Sequence, residues 1–167
     1  MDWKIIVISG GQTGADRAAL DVALFHNLTH GGWCPKGRRA EDGPIPGIYL
    51  LKETPSANYL QRTEWNVRDT DGTLVFTLSD KPTGGSLKTV AFAKKHGKPC
   101  LHIGRVARSQ DPALLVRQFI TEHDIRRLNV AGSRESKEPG IAQWVKETLS
   151  RALLPSGEPI LGQRGEC

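Results

Sequence analysis

The sequence predicts an α/β fold: a three-layer sandwich with a mostly parallel central sheet flanked by helices. Three observations carry this. Short strand-like runs occur at residues 4–8, 73–78, 99–103 and 128–131, each too brief for a helix. Helix-period apolar patterns fall among them at 15–25, 85–96, 111–123 and 138–153. Strands alternating with helices argue for a sheet covered on both faces.

The elements follow in order. The run Lys4 to Ile8 is β-branched and ends at Gly10-Gly11, which favours a buried strand. From Ala15 to Phe25, the residues Ala19, Leu20, Ala23 and Leu24 repeat at helical spacing, with Asp16 in the first turn where the helix dipole favours an acid. Gly31 to Pro55 breaks the alternation, being rich in Gly, Pro and charge; only Tyr49-Leu50-Leu51 resembles a strand. A loop that long in a compact domain is functional or mobile. The last helix is the clearest: Ile141, Trp144, Val145, Thr148, Leu149, Ala152 and Leu153 form one apolar stripe, and Pro139 suits its first turn. Residues 155–167 read as an irregular tail, leaving one domain over 1–154.

Composition narrows the function classes. Hydrophobic residues at 38% and charged residues at 25% are ordinary globular usage for a chain of 167 residues. No apolar run approaches the roughly 18 residues that span a bilayer, and no export signal is read at the N-terminus. Cys34, Cys100 and Cys167 are odd in number and widely spaced, which argues against a disulfide framework and a zinc site. The expectation is a soluble cytoplasmic protein. Residues 1–84 carry 9 Lys/Arg against 10 Asp/Glu, and residues 85–167 carry 14 against 8. Those basic residues are scattered rather than striped with aromatics, so nucleic-acid binding is not expected.

The chemistry concentrates in glycine loops that follow strands. Ser9-Gly10-Gly11-Gln12-Thr13-Gly14 lies between the first strand and first helix, where unpaired helix N–H groups and a bare backbone suit an anion. It is neither GxGxxG nor a P-loop. Thr83-Gly84-Gly85-Ser86-Leu87-Lys88-Thr89 repeats the arrangement, and Gly132-Ser133-Arg134 follows the last strand run. Lys36, Arg38 and Arg39 cluster around Gly37 and suit a phosphate grip, with a solvated basic loop as the bland alternative. Cys34 beside those cations is either reactive or an inert buried thiol. In Arg62–Asp69, helical spacing pairs Glu64 with Arg68 and puts Arg62 and Asn66 on another face; Trp65 either stacks on a heterocycle or packs in the core. No catalytic or metal-ligating set emerges.

Together, SGGQTGADRAALD (9–21), GWCPKGRRAEDGPIP (32–46), RTEWNVRDTDGTL (62–74), TGGSLKT (83–89) and NVAGSRESKEPGI (129–141) resemble the molybdenum carrier family, also called molybdenum-cofactor carrier proteins. The resemblance implies a Rossmann-like single domain related to LOG-type nucleotide-binding proteins. It also implies molybdenum cofactor (molybdopterin, a pterin with a phosphate and a dithiolene-held metal) as bound cargo. Carried over by residue, the cofactor phosphate meets Gly10, Gly11, Gln12, Thr13 and Gly14, or Gly84, Gly85, Ser86 and Thr89. Lys36, Arg38 and Arg39 supply charge, and Ser133 and Arg134 complete the rim. The implied partners are the cofactor, a recipient molybdoenzyme or cofactor-biosynthesis protein, and further copies of the chain in a homo-oligomer, a tetramer. No nucleic acid or membrane is implied. LOG-type enzymes carry PGGxGTxxE; aligned on the double glycine, this chain reads TGGSLKTVA, with Ala91 in place of the acid. That departure favours a carrier without turnover over the alternative, a nucleotide-binding sensor or phosphoribohydrolase-like enzyme.

Overall fold

The computed structural model describes residues 4–106 and 110–154; the predicted tail 155–167 lies outside them. In chain order the elements are β1 (Ile6–Ile8), α1 (Ala15–Phe25), β2 (His30–Gly31), β3 (Trp33–Cys34), β4 (Arg39–Ala40), β5 (Gly43–Pro44), β6 (Lys52–Glu53), α2 (Tyr59–Arg68), β7 (Gly72–Thr77), α3 (Gly84–Lys95), β8 (Cys100–Gly104), α4 (Pro112–Glu122), β9 (Arg127–Gly132) and α5 (Ile141–Leu153). Local chemistry starts several helices. Asn58 accepts from the Leu60 amide at 2.9 Å to cap α2, and Asp111 accepts from Ala113 at 3.1 Å to cap α4, with Pro112 in its first turn.

The central sheet has the order β2-β1-β9-β7-β8, and every pairing in it is parallel. The last strand in sequence thus sits in the middle. Counted from β9, and continuing through β1, β2, β7 and β8, the order becomes 3-2-1-4-5, the doubly wound Rossmann arrangement. The topological switch point, where ligands bind in such sheets, is therefore the crevice between the carboxyl ends of β9 and β7.

The two faces of the sheet differ in chemistry. Val7, Leu74, Phe76, Leu128 and Val130 join α1, α4 and α5 in the main core, where Phe76 meets Trp144 edge to face at 5.6 Å. Such an aromatic pair adds about 0.5–1.5 kcal/mol beyond its burial. On the opposite face, beneath α2 and α3, stand the buried polar residues Thr73, Thr77 and Asn129. Asn129 Nδ2 donates to Thr73 Oγ1 at 3.1 Å, which keeps both buried polar groups paired.

Four local readings are corrected. His30–Gly31, at the start of the region read as a loop, pairs with β1 as an edge strand. Tyr49–Leu51 is not a strand; the short β6 follows it at Lys52–Glu53 and pairs with β3. Here tertiary contacts outweigh β propensity: the Tyr49 hydroxyl is drawn onto Asp21 at 2.5 Å and Leu51 packs on a small second core. Pro139 precedes α5 instead of opening it. Gly140 stands at its N-cap in the left-handed region (φ 94), and Glu135 accepts from the amides of Gly140 and Ala142 at 2.7 and 3.1 Å. Glu64 bonds Lys95 and His96 while Arg68 bonds Asp69, in place of an intrahelical Glu64–Arg68 bond.

Candidate functional site

A cavity of about 110 Å³ opens at the switch point, over the carboxyl end of β9 and against α2 and the start of α3, the helix that follows β7. Each wall comes from a different part of the sequence. The first glycine loop brings Gly10, Gln12 and Asp16; α2 brings Tyr59, Arg62 and Asn66; α3 brings Gly85, Ser86 and Thr89; β9 and its loop bring Asn129, Ser133, Arg134 and Lys137.

At the floor lies a buried ion pair. Arg62 Nη1 donates to Asp16 Oδ2 at 3.2 Å and to the Gly10 carbonyl at 2.8 Å. A Cβ on Gly10 would fall 2.1 Å from that nitrogen, so only glycine lets the guanidinium lie on the backbone here. Burial pushes the Asp16 carboxyl above the usual carboxylate range, and Arg62 and the Gln12 amide pull back against it. The pair holds the glycine loop against α2.

The first loop is folded inward. The Gln12 amide donates to Asp16, the Thr13 amide to Gln12 Oε1 and the Ala15 amide to the Ser133 carbonyl. Gln12 Oε1 accepts a second bond, from the Glu41 amide at 2.9 Å. Two backbone donors on one oxygen fix the orientation of the side-chain amide. Gln12 lines the cavity, and its Nε2 is buried with no partner among the described residues. A buried donor without an acceptor is costly, which marks this atom as a place for one on a ligand.

The second loop is the more open of the two. Ser86 and Leu87 amides both reach the Thr83 carbonyl, whereas among the described residues the amides of Gly84 and Gly85 meet no acceptor. A Cβ at Gly85 would touch nothing within 4 Å. Lys137 stands beside this helix start, its Nζ donating to Thr83 Oγ1 at 2.6 Å. Glu138 fixes the third loop by accepting from Ser133 Oγ at 2.5 Å and from the amides of Leu78 and Ser79 at 3.1 and 2.9 Å.

Of the residues singled out from the sequence, Gly10, Gln12, Gly85, Ser86, Thr89, Ser133 and Arg134 line this cavity. Gly11, Thr13, Gly14, Lys36, Arg38, Arg39 and Gly84 do not. Arg38 binds the carbonyls of Ile45, Pro46, Tyr49 and Leu51 and so clasps its own loop. Arg39 donates to the Ala57 carbonyl, and Lys36 is exposed. The long 31–55 region lies against the first glycine loop, pinned through Glu41 and an Arg17–Asp42 pair at 2.9 Å; none of its residues lines the cavity.

Cys34 is fully buried with Leu20, Ile45 and Tyr49, and that burial pushes its thiol up. Trp65 meets Trp33 edge to face at 4.9 Å and lines no part of the cavity, while Trp144 is core as expected. Ala91 is exposed on α3 and does not line the cavity, whereas Gly85, Ser86 and Thr89 of that segment do. Ungapped alignment on the double glycine therefore does not identify a cavity position. Asp16 supplies the only carboxylate among the lining residues. Among the described residues no three His, Cys, Asp or Glu side chains are grouped to hold a metal ion, and no helix is long and apolar enough to cross a membrane.

Sequence reasoning named Asn129 only within the segment that leads to Ser133 and Arg134, and gave Tyr59, Lys137 and Glu138 no role, because nothing local distinguishes them from surface or strand residues. Asp16 carried a signal that pointed elsewhere. An acid in a first turn is read as a dipole partner, and only its burial with Arg62 reveals the second role.

The profile of the Circularly permutated YpsA SLOG family matches residues 7–153. The chain belongs to that family. The permutation in the family's description agrees with the sheet, whose Rossmann order appears only when counting starts at β9. The chain is also similar to a solved protein from Syntrophus aciditrophicus SB titled "Putative molybdenum carrier protein", at 47% identity and a TM-score of 0.86, over 89% of this chain and 94% of that one. An (E)-4-hydroxy-3-methyl-but-2-enyl diphosphate reductase matches at 12% identity and a TM-score of 0.39, over 87% and 58% of the two chains. No curated protein matches. As an SLOG-family member, the chain pairs a doubly wound α/β fold with a switch-point cavity lined by glycine loops and cations.

Proposed function

We propose that this protein binds molybdenum cofactor as cargo in the switch-point cavity and hands it on without turning it over. The observation that carries the reading is Gln12 Nε2, a buried, oriented donor with no partner among the described residues, on a side chain that shares the cavity lining with Gly85 and Ser86 at the start of α3. A phosphate or pterin oxygen supplies the acceptor it lacks. Gly85, Ser86, Ser133 and Lys137 add donors, and Arg134 adds charge at the rim. The donor set consists of amides, hydroxyls and cations, with no thiol in the lining. That suits a ligand whose metal is already held by its own dithiolene. The close similarity to a protein carrying the carrier name supports the same reading. Transfer to a recipient molybdoenzyme or cofactor-biosynthesis protein, and assembly into a homo-oligomer, belong to the proposal.

The test is anaerobic gel filtration of the protein with molybdenum cofactor, assaying metal and pterin in the protein peak. Wild type retains both. Gln12→Glu keeps the oxygen that receives the Thr13 and Glu41 amides but replaces the free donor with an acceptor. It weakens retention at least ten-fold, as about 1.5–3 kcal/mol for a charge-assisted bond requires. No co-elution with wild type, or equal retention by Gln12→Glu, refutes the reading. A second reading, nucleotide binding, is favoured by the 3-2-1-4-5 order and its crevice. Ready displacement of the cofactor by excess nucleoside monophosphate, or release of free base from it, moves the conclusion there.

A further inference from the structure

A second concentration of charge stands around Tyr59 at the edge of the cavity, where Arg62 and Arg134 belong to the lining and Arg39 approaches from outside it. The ring of Tyr59 lines the cavity, and three guanidinium carbons stand around its centroid: Arg39 and Arg62 at 5.4 Å each, and Arg134 at 5.7 Å. One cation on an aromatic ring is an ordinary contact. Three on one ring bring like charges together.

Their counter-charges are unequal. Arg62 has Asp16 at 3.2 Å. Arg134 reaches Glu41 only at 3.8 Å, and that carboxylate already accepts from Thr13 and Ser136. Arg39 donates to the Ala57 carbonyl at 3.2 Å and, among the described residues, pairs with no carboxylate. The three arginines come from three separate segments: β4, α2 and the loop after β9. The tertiary fold, not a local basic run, assembles the cluster. Cation–π attraction leaves the mutual repulsion in place, whereas an oxyanion between planar guanidinium forks relieves it.

We propose that the Tyr59–arginine cluster is a second oxyanion subsite, so that the ligand carries two anionic groups, one at the start of α3 and one at Tyr59. The inference rests on the cargo reading for the first group only. The shared chemistry is an anionic group that presents oxygen acceptors, which two sources supply: a second phosphoryl group, or the oxometal end of the cofactor.

Equilibrium dialysis with inorganic phosphate, and separately with molybdate, counts the bound ions. Wild type takes up two ions per chain at saturation. Arg39→Gln with Arg134→Gln leaves one, at the α3 start; Lys137→Gln with Ser86→Ala leaves the other, at Tyr59. Phosphate filling both positions identifies a second phosphoryl group. A second position filled by molybdate alone identifies the oxometal end. A single ion per chain for both anions, or loss of both ions in a double variant that keeps the wild-type circular dichroism, overturns the inference. The wild-type count decides even if a variant fails to fold. Two ions bound without co-elution of cofactor sinks the cargo reading and leaves this one standing; co-elution with one ion per chain does the reverse.

Discussion

Gly14→Ala tests whether the first and third loops are packed backbone on backbone. Gly14 has φ 79 and ψ −129, a conformation that costs a residue with a Cβ about 1–3 kcal/mol. Its Cβ would also lie 2.3 Å from the Ser133 carbonyl oxygen, 2.7 Å from the Glu135 nitrogen and 2.8 Å from the Arg134 carbonyl carbon. All three are main-chain atoms, so no side chain can swing aside, and such overpacking costs about 1–3 kcal/mol. Relief by separation breaks the bond from the Ala15 amide to Ser133 at 3.1 Å. A loss of about 3–5 kcal/mol follows, or roughly 10 °C in Tm for a domain of this size at about 2–4 °C per kcal/mol.

The control is Gly43→Ala. Gly43 has φ 106, yet its Cβ would meet nothing within 4 Å, so it carries the backbone term alone. Urea melts followed by circular dichroism compare the two variants. If Gly14→Ala costs no more than Gly43→Ala, the loops are not in the contact described and the geometry of Ser133 and Arg134 is wrong.

Two further outcomes follow from the same structure. Burial raises the Glu138 carboxyl, but hydrogen bonds from Ser133, Ser79 and Leu78 outweigh it and hold it below the ordinary glutamate range. The unfolded chain therefore takes up this proton first as pH falls. The stabilisation is present above the unfolded value of about 4.3 and is lost as pH drops through the folded one. Glu138→Gln should lower stability by about 1–3 kcal/mol at pH 7, with the gap narrowing in melts taken at successively lower pH below the unfolded value; an unchanged gap contradicts the assignment. Cys34 is buried, and burial pushes the Cys100 thiol up to about 11. A Cys167→Ser variant should therefore show no fast thiol toward a disulfide reagent at neutral pH until urea is added. Rapid native labelling of Cys34 would contradict its burial.

Much of the architecture is legible in the sequence. The β-branched run before Gly10-Gly11 and the apolar stripe from Ile141 to Leu153 are local patterns, and local periodicity follows from which faces a strand or helix must bury. The glycine loops were legible for the same reason, since a backbone that turns sharply between a strand and a helix selects residues lacking a Cβ. The short β2 and the irregular path of 45–51 were not. Two residues carry little periodicity, and that path depends on Arg38 and Tyr49 reaching atoms distant in sequence.

The cavity marks the deeper division. The sequence by itself determined the composition of each loop: glycine and glutamine in the first, glycine and serine in the second, serine and arginine in the third. It also determined that all three follow strands. Only the tertiary structure decided which loop amides face inward and which stay open, because that depends on Asp16, Gln12 and Ser133 meeting across the sheet. It likewise turned Arg38 toward its own carbonyls while bringing Arg39, Arg62 and Arg134 to one ring. A side chain's partner is set by strand order, and here β9 enters the middle of a sheet whose other strands were already in place in the sequence. No local window contains that insertion, which is why the residue types of the site could be read from the chain and their roles could not.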